Sequence, residues 1–255
     1  MPSLSPVSFT MLVVVGAVII ASIGQVAPSP EKLAVGVPKL LDLLGRMMPP
    51  NTEPAFMQRM FWRIIETFQI ALAGTVIGIV LSLPMAWLAA RGVSPLGIFR
   101  HAPKVVISLF RTVPDLVWAL LFVSTVGLGA VAGTMTIIVD TIGFCGRFFA
   151  EAMEDADKKP QEALQAIGAN RVSVLFGVIL PDIMPSLINS SLFALEKAVR
   201  ASVVLGLVGA GGIGQELKVA FDLFQYKNAS AIILAIFLIV LVMEVVTDRL
   251  RVKFQ

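Results

Sequence analysis

The chain has 255 residues, of which 57% are hydrophobic, and its formal net charge is +3. A water-soluble domain averages about 45–50% apolar residues, so this excess indicates a membrane protein with several spans. The single cysteine, Cys145, and the single histidine, His101, exclude an intrachain disulfide and metal sites built from clusters of either residue. The sequence also lacks the nucleotide-binding motif G-x-x-x-x-G-K-S/T, so we expect the chain to hold neither a metal nor a cofactor.

The first apolar segment covers residues 10–27, close to the length of about 20 residues that a helix needs to cross a membrane. The ten residues before Met11 include no lysine or arginine, so the charged start of a signal peptide is missing. An uncleaved span is therefore predicted here. A connection of mixed charge with several prolines follows at 28–63, and the second span is predicted at 64–90, with Pro84 inside it.

Four more apolar segments complete the pattern. They cover residues 105–126, a segment that ends near residue 149, residues 174–195 and residues 229–246. A glycine-rich apolar stretch at 201–214 lies between the last two, and the sequence leaves open whether it is re-entrant. Together the segments predict an all-α polytopic membrane protein with about six transmembrane helices, formed by a single domain over 1–255 with a core at 64–246.

The short loops predict how the chain is oriented in the membrane. The loop at 91–104 is basic and contains no acidic residue, and the tail at 248–255 has more basic than acidic residues. Such clusters mark the cytoplasmic side of membrane proteins, so they do not indicate nucleic-acid binding. If six spans alternate, the polar loop at 151–171 lies on the same side. We therefore expect a multi-pass protein of the cytoplasmic (inner) membrane, in contact with lipid, with both termini in the cytoplasm.

The polar loop at 151–171 has the residue order of two helices joined by a turn. Pro160 suits the first turn of a helix, and Glu162 lies near the positive end of that helix. Gly168 suits its end, and Asn170 suits the N-cap of the helix that becomes the fifth span. The loop is therefore predicted to be folded, and the small side chain of Ala163 leaves a compact face for docking into another protein.

This loop resembles a known signature. The segment EAL at 162–164, Gly168 and LP at 180–181 have the spacing of the EAA motif of ABC-importer permeases: Glu-Ala-Ala, three residues, Gly, nine residues, Ile, one residue, Leu-Pro. Here Leu164 and Val178 replace the second Ala and the Ile, and both are apolar. The resemblance implies a type I ABC-importer permease fold with a cytoplasmic coupling helix that binds an ABC ATPase. The implied coupling residues are Glu162, Ala163, Leu164, Gly168 and Pro181.

Further segments resemble the phosphonate-import permeases: ETFQIA at 66–71, RTVPDLVWAL at 111–120, VRAS at 199–202 and VLGLVGAGGIG at 204–214. The segment at 111–120 is the most specific, whereas the glycine-rich one is shared with methionine and glycine-betaine permeases. This family implies a non-catalytic homodimer of permeases, two copies of a cytoplasmic ABC ATPase, and a periplasmic or lipid-anchored substrate-binding protein. The implied cargo is an organophosphonate, phosphite or hypophosphite, and the sequence does not separate these anions.

Two pairs of opposite charge are candidates for the substrate pathway. Arg111 and Asp115 are four residues apart, as are Glu196 and Arg200, so each pair is predicted to share one helix face. A charge inside a span costs about 2.5–3.5 kcal/mol on insertion scales, which favours an interior or cavity position. Each pair either neutralises itself and fixes helix packing, or presents a guanidinium group to a phosphorus oxyanion in transit.

The segment GAGGIG at 209–214 matches the dinucleotide-binding pattern G-x-G-x-x-G, but apolar membrane segments flank it instead of a soluble βαβ unit. Two interpretations remain open. In the first, the glycines let helices pack closely. In the second, a broken helix exposes its backbone to the pathway, with Gly209, Gly211 and Gly212 as the lining residues.

Alternative functions also remain open. A permease of the methionine or glycine-betaine type would carry a different small cargo, although a betaine site favours an aromatic cage and the chain has one tyrosine and three tryptophans. An ion-coupled secondary transporter could use Asp115 or Asp140 but has no need of the loop at 151–171. With one cysteine and one histidine, the chain offers an intramembrane enzyme little catalytic chemistry.

Overall fold

The computed structural model describes residues 5–27 and 29–254, and the regular structure in both ranges is helical. The contacts divide the chain into two compact units, Met1–Met48 and Pro49–Gln255.

The first unit consists of α1 (Pro6–Val26) and α2 (Pro30–Met47). Each helix starts with a serine N-cap followed by a proline, and the Ser5 and Ser29 hydroxyls accept the backbone N–H groups of Ser8 and Lys32. The serine cap explains why α1 begins four residues before the predicted span at 10–27. No residue of α1 is buried and none is charged, which suits a helix surrounded by lipid.

The connection predicted at 28–63 contains a helix that the sequence pattern did not reveal. In α2, most of the leucines and valines lie on one side and the charged residues lie on the other, so the helix is amphipathic. It is less hydrophobic than α1 and does not qualify as a span.

The second unit contains nine α-helices between residues 49 and 254. They are α3 (Pro54–Ala89), α4 (His101–Thr112), α5 (Asp115–Val126), α6 (Ala130–Asp155), α7 (Lys158–Ala166), α8 (Arg171–Val174), α9 (Leu180–Gly206), α10 (Ile213–Asp222) and α11 (Tyr226–Phe254). A 3₁₀ turn, Gly97–Arg100, precedes α4, and a π-helical turn, Leu175–Ile179, joins α8 to α9.

Within the described ranges, five helical segments are long and apolar enough to cross a membrane: α1, α3, α6, α11 and the continuous run from α8 to α9. The bent pair formed by α4 and α5 is a sixth candidate. The predicted all-α fold with about six transmembrane helices is therefore confirmed.

The third span has a different shape from the one predicted. The chain bends by 92° between α4 and α5, because Pro114 has no N–H to continue α4 and holds Val113 in extended backbone. The prediction of one continuous span at 105–126 is therefore wrong. Arg111 lies in the last turn of α4 and Asp115 in the first turn of α5, so the prediction that they share one helix face is also wrong.

The helix α6 packs most closely against α3. A Cβ atom at Gly74 would lie 2.6 Å from the Ile137 side chain, and one at Gly78 would lie 2.5 Å from the Thr141 side chain. Only glycine allows this approach, which brings the two backbones together as small residues do in membrane helix pairs. Inside this contact the Ser82 hydroxyl donates a hydrogen bond to the Gly78 carbonyl oxygen at 2.6 Å, so its polar group has a partner.

The two ends of the bundle differ. At one end, the Arg91 N–H at the end of α3 donates to Glu154 Oε1 near the end of α6 at 2.7 Å, and α7 follows directly. At the other end, the Asn51 N–H donates to the Lys227 carbonyl at 3.0 Å, so α3 and α11 begin side by side. From there the helix α11 runs back toward the end of the bundle that carries α7.

Gly74→Ala should lower the thermal midpoint of the detergent-solubilised protein. The new methyl group would lie 2.6 Å from Ile137, and overpacking of this kind costs about 1–3 kcal/mol. Gly16→Ala in α1 is the matched control, because outside its chain neighbours and the nearby backbone of its own helix no described atom lies within 4 Å of its future Cβ. Equal midpoints for wild type and Gly74→Ala in a thermal-shift assay would contradict the packing of α3 on α6.

Candidate coupling loop and transport pathway

The helix α7 is exposed at the end of the bundle. Asp157 caps it by accepting the Lys159 N–H at 3.0 Å, and Pro160 lies in its first turn as predicted. Of its nine residues none is buried, and Glu162 and Ala163 point to the surface. Leu164 is half-buried and packs on the apolar core below. The helix therefore presents a free outer face while one side chain holds it to the bundle.

The turn after α7 depends on Gly168. Its φ angle is +87°, a left-handed conformation that glycine adopts without steric cost. The Gly168 N–H donates to the Gln165 carbonyl at 3.0 Å, and the Ala169 N–H donates to the Leu164 carbonyl at 3.1 Å. Asn170 Oδ1 then accepts the Ser173 N–H at 2.8 Å and caps the next helix. The predicted order of helix, turn and helix is confirmed.

Contacts distant in sequence fix the loop to the bundle. The Arg171 guanidinium group donates to the Ser94 carbonyl at 2.7 Å, across 77 positions. The Asp182 carboxylate accepts the Asp157 N–H at 3.2 Å and so ties the start of α9 to the start of α7. Sequence reasoning missed Arg171 and Asp182, because nothing local to either residue indicates its partner.

Pro181 lies at the start of α9 and its side chain is exposed. A proline inside a helix cannot donate an N–H and crowds the carbonyl four residues earlier. The π-helical turn Leu175–Ile179 directly precedes it and accommodates the irregular hydrogen bonding, so the helical run continues to Gly206.

Arg111 and Asp115 lie on different sides of the break between α4 and α5. Arg111 is exposed and borders a cavity of about 500 Å³ between α4 and α6. Asp115 is half-buried, and its carboxyl group lies beside that of Asp140 on α6. Asp140 is buried, and its carboxylate accepts a hydrogen bond from the Lys197 ammonium group of α9 at 2.6 Å. The break therefore separates the two predicted pathway residues into two different electrostatic surroundings.

Glu196 and Arg200 form the ion pair that their spacing predicts, at 2.7 Å. The Glu196 carboxylate is buried and also accepts Arg251 from α11 at 2.8 Å. The Arg200 side chain is 48% exposed, whereas that of Arg251 is 21% exposed. Arg251 thus neutralises the buried carboxylate from inside the bundle, and Arg200 extends outward. Sequence reasoning missed Arg251, which lies 55 positions from Glu196.

Gly209, Gly211 and Gly212 form a turn between α9 and α10, with φ angles of +93°, +85° and +73°. The Gly209 carbonyl accepts the Gly129 N–H at 2.8 Å. A Cβ at Gly211 would lie 2.8 Å from the Ala130 nitrogen, and one at Gly212 would lie 2.6 Å from the Thr67 hydroxyl. The turn is buried against the start of α6 and the interior of α3, so its backbone is covered within this chain and not exposed as the second interpretation expects. Its place in the substrate pathway stays a prediction.

An ion-pair network that sequence reasoning missed joins α3 to α10. Arg63 donates to Glu66 at 2.7 Å and to Glu216 at 3.0 Å. The three-residue spacing of Arg63 and Glu66 is a recognisable helical signal, but Glu216 lies 153 positions away from Arg63.

Three comparisons place this architecture among known proteins. Residues 78–255 match the family described as binding-protein-dependent transport system inner membrane component. The chain is 36% identical to the phosphite transport system permease protein PtxC of Stutzerimonas stutzeri, over 86% of this chain and 79% of that protein. It is 38% identical to the phosphate-import permease protein PhnE of Mycolicibacterium smegmatis, over 82% of this chain and 39% of that longer protein.

The fold has a solved counterpart. A structure of the MetNI methionine ABC transporter in an inward-facing conformation superposes with a TM-score of 0.67, covering 80% of this chain and all of the matched chain at 22% identity. At that identity the likeness concerns the fold. The family match and the similarity to PtxC go further, and the chain belongs to the binding-protein-dependent transport system inner membrane components, the permease subunits of ABC importers.

Proposed function

We propose that this chain is the translocation subunit of an ATP-driven importer that moves phosphite, a phosphonate or a related phosphorus oxyanion into the cytoplasm. Permease subunits of this family are not catalytic, and the ATPase is a separate protein. The observation that carries the proposal is the exposed helix α7, turned back by Gly168 at one end of the bundle in a sequence without a P-loop. The similarity to phosphite and phosphate permeases supports the choice of cargo.

The proposed assembly contains two permease copies, two ATPase copies and a substrate-binding protein outside the membrane. An ATPase that closes on ATP would push on α7. Leu164, Asp157 and Asp182 connect α7 to the core and to α9, so the push reaches a membrane helix through packed contacts. Coupling of this kind requires a rigid element with two stable arrangements relative to its neighbours, as in domain rotation about an interface.

The cargo is an anion, so the pathway needs cations that bind it weakly and release it. Arginine suits this role because its planar fork matches two oxyanion oxygens at once. Arg200 and Arg111 are both exposed, and each borders an apolar helix. We assign Arg200 and Arg111 to the pathway, together with Asp115. We also assign the glycine turn at 209–212 to the wall of the pathway. High affinity would belong to the binding protein, so that the permease itself does not trap the anion.

Gly168→Leu should weaken binding of the ATPase and uncouple its ATP hydrolysis from uptake. A left-handed conformation costs roughly 1–2 kcal/mol for a residue with a Cβ, so the turn after α7 would change shape. Gly168→Asn is the matched control, because asparagine tolerates this conformation and should keep most of the function. Co-purification of the ATPase and uptake per ATP hydrolysed are the measurements, and wild-type values for Gly168→Leu would show that the turn is not part of the coupling surface.

Single cysteines placed in a Cys145→Ala background should report the orientation of the chain. We expect Ile167→Cys in the loop after α7, and Val252→Cys near the end of α11, to react with an impermeant thiol reagent only from the cytoplasmic side, since both side chains are exposed. Thr52→Cys, at the opposite end of the bundle, should react only from outside. Intact cells and inside-out vesicles separate the two cases, and labelling of Ile167→Cys in intact cells would reverse the proposed orientation.

Arg200→Ala should reduce uptake about tenfold, the effect expected when one charged hydrogen-bond donor is lost, while expression stays near that of wild type. The buried Glu196 would keep its ion pair with Arg251 and so would not be left uncompensated. Arg200→Lys should recover part of the activity because it restores the charge but not the fork.

The control for this prediction removes the other guanidinium group from the same carboxylate. Arg251→Ala takes away the more buried partner of Glu196, so it should lower thermal stability more than Arg200→Ala does. Uptake is compared at equal membrane abundance. An Arg200→Ala protein with wild-type uptake would show that Arg200 is structural and lies outside the pathway.

A further inference from the structure

A cavity of about 500 Å³ lies between α4 and α6, at the end of the bundle that carries α7. Lys104, Arg111 and Arg147 contribute three cationic groups to its wall, and Ser108 contributes a hydroxyl group. Ala89, the last residue of α3, closes one side. The cavity is thus a basic chamber near the cytoplasmic mouth of the proposed pathway.

The two acidic residues of this wall are already engaged. Glu151 accepts Arg147 at 2.7 Å, and Glu154 accepts the backbone N–H of Arg91 at 2.7 Å. Lys104 and Arg111 form no ion pair with any residue in 5–27 or 29–254. Two cations facing one chamber repel each other and are stabilised by an anion between them. A backbone N–H leaves the negative charge of Glu154 in place, so the wall has the cations Lys104, Arg111 and Arg147 against the carboxylates Glu151 and Glu154, and its net charge is positive.

The free donors follow one face of α4. Lys104, Ser108 and Arg111 are spaced i, i+4 and i+7, which places them one above another over two helical turns. The Ser108 hydroxyl makes no hydrogen bond within the described ranges, so its proton is available. The Thr112 hydroxyl, in contrast, donates to the Ser108 carbonyl at 2.7 Å and is engaged in its own helix.

Close packing on α6 fixes the position of this face. A Cβ at Gly143 would lie 2.8 Å from the Arg111 backbone nitrogen, and one at Gly146 would lie 3.2 Å from the Ile107 side chain. Gly143 precedes Glu154 by eleven positions, or about 16 Å along α6 at 1.5 Å per residue. Arg111, just before the break at Pro114, therefore lies at the deep end of the chamber. Lys104 lies nearer its mouth.

We propose that this chamber is a weak oxyanion-binding site on the cytoplasmic half of the pathway, in which a phosphorus oxyanion is held before release. Arg111 presents its fork to two oxygens of the anion, and Lys104 and Ser108 provide single donors further toward the mouth. Glu151 and Glu154 repel the anion and keep its affinity low, which favours release. The inference rests on the proposed function, because it names where that cargo binds.

The test uses the purified complex of permease and ATPase with one reporter cysteine, Thr112→Cys, in a Cys145→Ala background. Sodium phosphite should slow modification of this cysteine by an anionic methanethiosulfonate reagent, whereas sodium chloride of equal ionic strength should not. Arg111→Gln should raise the phosphite concentration for half-protection about tenfold, which corresponds to about 1.4 kcal/mol. Arg111→Lys should give a half-protection concentration between those of wild type and Arg111→Gln. Lys218→Gln, at the opposite end of the bundle, should leave protection unchanged.

Uptake of phosphite by proteoliposomes that contain the complete importer is measured in parallel, and gel filtration checks that each variant complex stays intact. Wild-type uptake without phosphite protection of Thr112→Cys would overturn the proposed site and leave the proposed function standing. Equal protection in wild type and Arg111→Gln would also overturn it. Protection that depends on Arg111, together with a wild-type importer that takes up no phosphorus oxyanion, would support an anion site here and reject the proposed function.

Discussion

Close contact around α6 sets the positions of the other helices in the second unit. The helix α6 receives Gly74 and Gly78 of α3 on one side and presents Gly143 and Gly146 to α4 on another. In a lipid environment helices gain little from hiding apolar side chains from water, so close van der Waals packing through small residues is a main source of association. The distance of α3 and α4 from α6 then determines where the cavity, the break at Pro114 and the glycine turn can lie.

The glycine turn depends on the same packing. A Cβ at Gly133 of α6 would collide with the Ala210 carbonyl oxygen, and Gly129 donates to Gly209. Irregular backbone at membrane depth needs partners for its N–H and C=O groups, because hydrocarbon supplies none. The start of α6 and the interior of α3 supply these partners, as the hydrogen bond from the Ile213 N–H to the Thr67 hydroxyl at 2.7 Å illustrates for α3. The turn can therefore break the helical run without exposing polar backbone to lipid.

Charge is distributed unequally through the bundle. The buried carboxylates Asp140 and Glu196 each have a basic partner from another helix, which offsets the large cost of removing a charge from water. Arg200 and Arg111 differ from these groups because they extend to exposed positions. A transport subunit for anions needs this separation, because a cation that the protein already neutralises fully binds a passing anion only weakly.

The sequence by itself determined the features that depend on neighbouring residues. Apolar length predicted the spans, and the order of Pro160, Gly168 and Asn170 predicted the helix, turn and helix of the loop at 151–171, because caps and left-handed turns are local properties of the backbone. The bend at Pro114 is also local. The four-residue spacing of Arg111 and Asp115 was wrongly taken as helical across that proline.

The tertiary structure alone decided which distant groups meet. Arg171 bonds to Ser94, Lys197 to Asp140, and Arg251 joins Arg200 on Glu196, across 77, 57 and 55 positions for the three long-range contacts. No periodicity connects such residues, because their approach depends on helix packing distances and crossing geometry. For the same reason the sequence left open whether the glycines at 209–212 are covered, and the packing of their turn on α3 and α6 buries them in this chain.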